Sequence, residues 1–371
     1  MKNHKKDYVF LDYNATAPLR PEAREAVLCA MDAPHNASSV HALGRAAHKI
    51  VEEAREKVAA LVNAPPAQVI FNSGATEGNN TILKFFPGER ILVSAIEHSS
   101  VLEAAPQAEK IPVTADGIVN LAALEKLLKE RRTALVSVMF ANNETGTIQP
   151  IEKISSLAKK HGALFHCDAA QAAGKIPVDI AALGIDFLTL SAHKMGGPQG
   201  VGALVLGLCG ITPVLLDGGG QEKRARAGTL NTAGIAGFGA AAEAALNALP
   251  ASLQTQKNMR DRVELGLHKI NPSILIHSET APRLPNTTLF STPSAKSETL
   301  LIALDLEGIC VSNGSACSSG SVKGSHVLKA MGLDEKTIGG TLRVSTGWAT
   351  TENDIEKFLA AWEKISARLK K

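Results

Sequence analysis

The chain has 371 residues, of which 45% are hydrophobic and 20% are charged. This composition is typical of a globular protein and excludes a disordered or fibrous chain. The net charge is only +3 and the basic residues are scattered, so the sequence predicts a small-molecule substrate and no nucleic-acid partner. At roughly 150 residues per domain, we expect one large domain and a smaller one.

The predicted elements begin with an amphipathic helix over residues 41–63, where Ile50, Ala54, Val58 and Leu61 share one face. Further helical patterns cover NLAALEKLLKERR and IEKISSLAKKHG. Before, between and after these helices lie almost continuously apolar runs, which are typical of strands buried on both faces: QVIFNS, RILVSAI, TALVSVMF, GALFHCD, IDFLTLS and VGALVLG. The alternation predicts an α/β fold with a mostly parallel sheet sandwiched by helices.

The pattern changes near residue 250. Pro250 separates the helical stretch GIAGFGAAAEAALNALP from a second one, QTQKNMRDRVELGLHKI, and we predict a domain boundary there. In open α/β sheets, ligands bind beyond the carboxyl ends of the strands. The polar residues that follow each apolar run are therefore the candidates for a site.

Three strand ends carry groups that suit one cofactor. After QVIF, the turn NSGATEGNN opens a helix near Thr76, whose backbone N–H groups suit a phosphate; an ordinary capped helix start is the alternative. LFHCD ends in Asp168, which is either a buried carboxylate with a donor partner or an exposed helix cap. IDFLTL leads to Lys194, either a solvated lysine or an amine desolvated for Schiff-base chemistry. Pyridoxal 5'-phosphate needs such a phosphate site, acid and amine.

The cysteines and the uncharged segments bear on the compartment. The five cysteines are an odd number without C-x-x-C spacing, which argues against a disulfide framework or zinc ribbon and predicts a reducing, cytoplasmic compartment. The basic first ten residues lead into no apolar stretch typical of a secretory signal. Residues 195–216 are uncharged but contain six glycines, so they predict a buried strand with turns and no membrane span.

With these residues in place, the chain resembles the cysteine desulfurases of the class V aminotransferase superfamily. The motifs occur in family order along nearly the whole chain: LDYNATAPLRPEA, SGATEGNN, EHSSV, ANNETGTIQP, HCDAAQAAGKIP, SAHKMGGPQGVG, GGGQEKRARAGT, SNGSACSSG and RVSTGWATTENDIE. The resemblance implies a fold type I pyridoxal-phosphate-dependent transferase. Residues 15–250 would form the large cofactor-binding domain, and residues 1–14 with 251–371 a smaller α+β domain.

The resemblance implies roles for the residues around the cofactor. Lys194 would form the Schiff base, Asp168 would pair with the pyridinium nitrogen and Gln171 would contact the phenolate oxygen. His98 would stack on the ring and help in proton transfer. The phosphate would be held by five residues, the last of them from the other subunit of a homodimer: Ala75, Thr76, Ser191, His193 and Thr229.

The resemblance also implies roles on the substrate side. Asn143 would approach cofactor and substrate, and Asn14 and Arg343 would bind the substrate carboxylate, for which a guanidinium offers two parallel donors. Cys317, in a loop of about residues 312–325 similar to the group with a long cysteine loop, would be the nucleophile. On its residues alone Cys317 is an ordinary loop thiol. We expect the other cysteines to lie in the core: Cys29, Cys167, Cys209 and Cys310.

The activity implied is that of a homodimeric cysteine desulfurase. It would convert L-cysteine to L-alanine, carry the sulfur as a persulfide on Cys317 and pass it to an acceptor such as an iron–sulfur scaffold protein. No resident metal is expected, and any iron–sulfur cluster would contact Cys317 only transiently. A selenocysteine lyase or another β-eliminating relative is the alternative enzyme. A catalytically silent scaffold is the alternative outside enzymes, and the five retained residues argue against it: Lys194, Asp168, His98, Cys317 and Arg343.

Overall fold

The computed structural model describes residues 8–32, 35–292, 295–313 and 324–369. In chain order, the strands of this part are β1 (Val9–Phe10), β2 (Val69–Asn72), β3 (Ile91–Ser94), β4 (Glu109–Ile111), β5 (Leu135–Ser137), β6 (Leu164–Asp168), β7 (Phe187–Ser191), β8 (Gly202–Leu206), β9 (Leu275–Ile276), β10 (Thr287–Ser291), β11 (Ile309–Cys310) and β12 (Thr341–Ser345). The six apolar runs of the sequence correspond to β2, β3, β5, β6, β7 and β8, so these predicted strands are confirmed.

The helices alternate with these strands through the first two thirds of the chain. They are α1 (Pro21–Met31), α2 (Ala42–Leu61), α3 (Ala75–Lys84), α4 (Ser99–Leu102), α5 (Leu121–Glu130), α6 (Ile151–Lys160), α7 (Thr232–Ile270), α8 (Ser297–Leu306), α9 (His326–Ala330), α10 (Glu335–Gly339) and α11 (Glu352–Leu369). The predicted helices over residues 41–63, 120–132 and 151–162 correspond to α2, α5 and α6. No helix in the described ranges is long and apolar enough to cross a bilayer.

The largest sheet in the described part of the chain has seven strands in the order β2-β8-β7-β6-β5-β3-β4. The strands β4, β3, β5, β6 and β7 run parallel to one another, whereas β8 is antiparallel to both β2 and β7. The expected mostly parallel α/β sheet is therefore confirmed. The described residues form two smaller sheets as well. One is antiparallel with the order β12-β10-β9, and the other is the parallel pair β1-β11.

Apolar side chains cover both faces of the large sheet. Along β2, Phe71 packs in a cluster with Val58 of α2 and Phe238 of α7, while Ile70 packs on the opposite face with Ile82 of α3. Such alternation is the two-residue period of a strand whose two faces are both buried. The sheet is a central layer between helices, and in such a sheet ligands bind beyond the carboxyl ends of the strands.

A second core lies in the C-terminal third of the chain. It joins β1, the second half of α7, β10, α8, β12 and α11 around Phe290 and Trp362, whose rings are 5.2 Å apart in an edge-on contact. The N-terminal strand β1 belongs to this core through Val9 and pairs with β11. The division of the chain into two domains remains a prediction.

Two expectations about single residues are wrong. Pro250 does not interrupt the helical pattern, because α7 runs without a break from Thr232 to Ile270 with Pro250 inside it. A proline in a helix removes one hydrogen bond, but packing of α7 against α1, α2 and α11 holds the helix on both sides. Cys29 is exposed rather than in the core, while Cys167 is buried and Cys209 and Cys310 are partly exposed.

Candidate active site

The carboxyl ends of the parallel strands open into a cavity of about 630 Å³. Eleven of the thirteen residues assigned to the site from the sequence line it: Asn14, Ala75, Thr76, His98, Asn143, Asp168, Gln171, Ser191, His193, Lys194 and Arg343. They come from strand ends and turns that are far apart in the sequence. Their roles toward a cofactor or substrate remain predictions, but the fold brings these groups to one place.

The two remaining residues are not at this cavity. Cys317 lies outside the described residues. Thr229 lines a neighbouring pocket of about 170 Å³ that shares Ser73 and Gly200 with the main cavity. Within one chain, Thr229 therefore lies beside the start of α3 rather than in the main cavity.

The start of α3 is shaped to hold an anion. Its N-cap is Gly74, with φ +146°, so no side chain caps the first-turn N–H groups. A Cβ atom at Gly202 would lie only 2.7 Å from the Gly74 Cα atom, so β8 passes close to this turn because residue 202 has no side chain. The uncapped N–H groups and the positive end of the helix dipole fit the phosphate of the expected cofactor.

Asp168 lies at the end of β6 and is held by two donors. Its Oδ1 atom accepts from the Ala170 backbone N–H at 2.9 Å, and its Oδ2 atom accepts from Asn79 Nδ2 at 2.7 Å. These bonds fix the orientation of the carboxylate. Asn79 is fully buried on α3 and was missed by the sequence analysis. The sequence pattern that could have indicated Asn79 is a polar residue on the side of α3 that faces the sheet.

Asn79 also connects Asp168 to His98. Its Nδ2 atom donates to Ser100 Oγ at 2.8 Å, and Ser100 Oγ lies 2.8 Å from His98 Nδ1. His98 Nδ1 accepts from the Ser100 backbone N–H at 3.1 Å, so in the neutral ring the proton is on Nε2. A chain of hydrogen bonds thus fixes the orientation of both His98 and the Asp168 carboxylate.

Lys194 lies in the 3₁₀ turn that follows β7. Its Nζ atom donates to the backbone oxygens of Asn14 and Ala15 at 2.7 and 2.8 Å. The preceding His193 is partly buried, and burial, with the positive charges of Lys194 and Lys175, lowers its pKa to about 4. His193 is therefore neutral at pH 7 and can act on an anion only as an N–H donor.

A second lysine, Lys175, lies next to this group and was not assigned from the sequence. Its Nζ atom donates to Asn14 Oδ1 and to Gln171 Oε1, both at 2.8 Å. Burial, together with the positive charges of Lys194 and Arg343, holds the pKa of Lys175 well below its usual range. The only signal available was its place in the motif HCDAAQAAGKIP.

Arg343 is fully buried in β12 at the edge of the cavity. One of its terminal nitrogens donates to the Asn143 backbone oxygen at 2.8 Å and the other to Asp12 Oδ1 at 2.5 Å. Its Nε atom is buried without a hydrogen-bond partner among the described residues. A guanidinium has five N–H donors, so Arg343 has donors beyond the two that the Asn143 carbonyl and Asp12 occupy.

The segment that carries Cys317 is held at both ends near this cavity. On its N-terminal side, Ser312 exchanges two backbone hydrogen bonds with Arg343, at 3.2 and 2.6 Å. On its C-terminal side, Ser325 Oγ donates to Glu144 Oε2 at 2.6 Å, and burial raises the pKa of Glu144. Glu144 follows Asn143 in the chain, so both ends of the segment are attached to elements that line the site.

The full length of the chain is similar to known proteins. Residues 9–358 match the aminotransferase class-V family. The cysteine desulfurase IscS of Dictyoglomus turgidum is 40% identical, covering 98% of this chain and 96% of its own. A cysteine desulfurase of Sinorhizobium fredii is also 40% identical, over 98% of this chain and 97% of its own.

Two solved structures extend the comparison to the fold. The X-ray structure of a NifS-like protein from Rickettsia africae has a TM-score of 0.91 and 38% identity, covering 97% of this chain and 99% of its own. A structure of SspA in complex with cysteine has a TM-score of 0.78 and 29% identity, covering 91% of this chain and 98% of its own. The overall similarity therefore includes both cores described above.

Proposed function

The chain belongs to the aminotransferase class-V family, and on that premise we propose that it is a pyridoxal-phosphate-dependent cysteine desulfurase. It would convert L-cysteine to L-alanine and transfer the sulfur to Cys317. The observation that carries this proposal is the convergence of Lys194, Asp168 and the start of α3 on one cavity, in a chain 40% identical to cysteine desulfurases along its length. Enzymes of the family depend on pyridoxal phosphate in general.

The donor set at the cavity fits that cofactor. The uncapped start of α3, with Thr76 and neutral His193, would hold the phosphate. The Asp168 carboxylate, oriented by Asn79, would hold a proton on the ring nitrogen. When bound, pyridoxal phosphate supplies an electron-withdrawing ring that stabilises negative charge on the Cα atom of the substrate.

The other residues act on the amino acid. Arg343 would bind the substrate carboxylate through its guanidinium N–H groups. The Lys194 amine, placed against the Asn14 and Ala15 carbonyls, is the base available to take the Cα proton, with His98 as the second proton carrier. Binding of the carboxylate by Arg343 would hold the amino acid in one orientation in the cavity.

Cys317 would receive the sulfur as a persulfide. A thiol with a pKa near 8.5 is only a few per cent ionised at pH 7, so the site must assist its deprotonation. A thiol of an acceptor protein, such as an iron–sulfur scaffold, would then attack the outer sulfur and release the Cys317 thiolate. We propose that the reaction takes place in the cytoplasm, as the cysteine usage predicts, and in a homodimer, as the resemblance implies.

The first experiment measures alanine and sulfide formed from L-cysteine with a thiol reductant, after the visible absorption band of the cofactor-loaded protein is recorded. We expect the band and equal amounts of the two products. Cys317→Ala is expected to keep the band and lose at least 100-fold in alanine formation, because the sulfur has no acceptor. The matched control is Cys29→Ala, which removes an exposed thiol remote from the cavity and should leave both products unchanged.

Two outcomes contradict the proposal. Full alanine formation by Cys317→Ala refutes the nucleophile, and retained turnover of selenocysteine in that variant would then favour the lyase. A protein that takes up no added pyridoxal phosphate refutes the enzyme as a whole and favours the silent scaffold.

A further inference from the structure

Lys175 occupies a position that the proposed reaction does not use. Its Nζ atom donates to Gln171 Oε1 and Asn14 Oδ1, both at 2.8 Å. The charged groups that act on it are Lys194 and Arg343, which are both positive and lower its pKa together with burial. No carboxylate among the described residues forms an ion pair with this amine to offset the cost of removing it from water, so its two hydrogen bonds hold it in place.

The hydrogen bond from Lys175 to Gln171 determines which end of the Gln171 amide faces the amine. An amide can be turned by 180° about its last torsion, which exchanges its oxygen and its nitrogen. The Lys175 amine meets the oxygen, and Gln171 Nε2 donates one hydrogen to the Asn14 backbone oxygen at 2.9 Å. Turning the amide would place its N–H groups against the Lys175 amine and its oxygen against the Asn14 backbone oxygen, so both hydrogen bonds would be lost. The second Nε2 hydrogen is therefore left for the cavity that Gln171 lines.

The second bond has the same effect on Asn14. Asn14 Oδ1 accepts from Lys175 and from Asn286 Nδ2 at 3.2 Å, while its Nδ2 atom donates to Thr287 Oγ1 at 2.9 Å. Asn14 is almost fully buried, and its backbone oxygen receives both Gln171 and Lys194. One amine thus orients two amides, and Asn14 connects both to Lys194. Both protonation states of Lys175 carry the two hydrogens that these bonds need.

We propose that Lys175 is a positioning residue that fixes the amide of Gln171 with its N–H group toward the phenolate oxygen of the cofactor. The inference rests on the proposed function, because the cofactor must bind for Gln171 to act on it. A donor to that oxygen stabilises negative charge there, so the Lys194 nitrogen holds its proton less tightly. Lys175 would therefore lower the proton affinity of the Lys194 nitrogen without contacting the cofactor.

The test measures the pH midpoint of the visible absorption band without substrate, and the dissociation constant of pyridoxal phosphate from the protein. Lys175→Met keeps the length of the side chain and removes its donors. We expect the midpoint to rise by about one pH unit, equivalent to about tenfold in proton affinity, and the dissociation constant to rise about tenfold. Lys175→Arg keeps N–H donors and should restore most of the midpoint. Lys153→Met, which removes an exposed lysine on α6, is the matched control.

A double-mutant cycle separates positioning from a direct effect of charge. If Lys175 acts through Gln171, Lys175→Met causes no further rise of the midpoint in a Gln171→Ala background. An equal rise in both backgrounds, or none in Lys175→Met alone, overturns the inference. Lys175→Leu, which also has no donor, replaces the methionine variant if that variant does not fold, and the same criteria apply. Failure of the wild-type protein to bind the cofactor refutes the proposed function instead.

Discussion

Asn79 is the residue through which α3 acts on the Asp168 carboxylate. Its Nδ2 atom donates to Asp168 Oδ2 at 2.7 Å and to Ser100 Oγ at 2.8 Å. We predict that Asn79→Ala raises the dissociation constant of pyridoxal phosphate about tenfold, because a hydrogen bond to a charged group is lost. Asn79→Asp should raise it about 100-fold, since two adjacent carboxylates cannot both be ionised.

Titration of each apoprotein with pyridoxal phosphate measures this constant. Asn258→Ala, at an exposed position on α7, is the matched control and should bind the cofactor as the wild type does. Equal dissociation constants for the aspartate and alanine variants would show that the charge of Asp168 does not determine how tightly the cofactor binds.

At the scale of the elements, His166 connects three neighbouring strands of the large sheet. From β6, its Nδ1 atom lies 2.8 Å from Ser137 Oγ of β5, and its Nε2 atom lies 3.0 Å from Thr189 Oγ1 of β7. Burial lowers the pKa of His166 to about 4 from its ordinary value of 6.5. The ring is therefore mostly neutral in the folded protein at pH values well above 4.

This pKa makes the stability of the sheet depend on pH. As the pH falls below 6.5, the unfolded chain binds a proton at His166 that the folded protein does not bind until about pH 4. The contribution of this group is complete above pH 6.5 and is lost as the pH falls to about 4, up to about 3 kcal/mol. We predict that His166→Gln, which does not titrate, lowers the slope of the free energy of unfolding against pH in this window.

Urea unfolding at several pH values between 6.5 and 4 measures that slope. His193 and His277, whose pKa values are also lowered to about 4, leave a residual slope in the variant. His48→Gln, at an exposed position on α2, should keep the wild-type slope. An unchanged slope in His166→Gln would show that this ring is protonated in the folded protein as readily as in the unfolded chain.

At the scale of the whole molecule, the predicted homodimer gives Thr229 a role across subunits. In a mixed dimer of one Lys194→Ala chain and one Thr229→Val chain, the chain with intact Lys194 would receive Thr229 from its partner. We expect this dimer to have about half the wild-type activity, because one of its two sites is complete. The Lys194→Ala homodimer should be inactive, and the Thr229→Val homodimer about tenfold weaker from loss of a phosphate contact.

Coexpression of the two chains with different affinity tags and successive purification on both isolates the mixed dimer. Activity near one twentieth of the wild type would mean that Thr229 serves the site of its own chain. That outcome is the main alternative, because Thr229 and Ser73 of the same chain line one pocket. A protein that sediments as a monomer would remove the cross-subunit role altogether.

The sequence was sufficient to predict those features that depend only on residues close together along the chain. Apolar runs predicted six strands of the large sheet, and helical periodicity predicted α2, α5 and α6; the six strands are β2, β3, β5, β6, β7 and β8. Lys194 and Asp168 were found because they follow such runs directly. The antiparallel direction of β8 was not read from the sequence, because a buried strand has the same apolar pattern in either direction.

The sequence by itself determined six strands of the large sheet, three of the helices beside it, the family motifs and the residues that follow the strands, since these depend on short-range periodicity and residue type. Tertiary structure alone decided the contacts of Asn79 and Lys175, whose partners are up to 161 positions away along the chain. It also decided that α7 continues through Pro250 and that Cys29 faces outward. The physical reason is that hydrogen-bond partners and burial depend on distances in space, which only packing of the elements establishes.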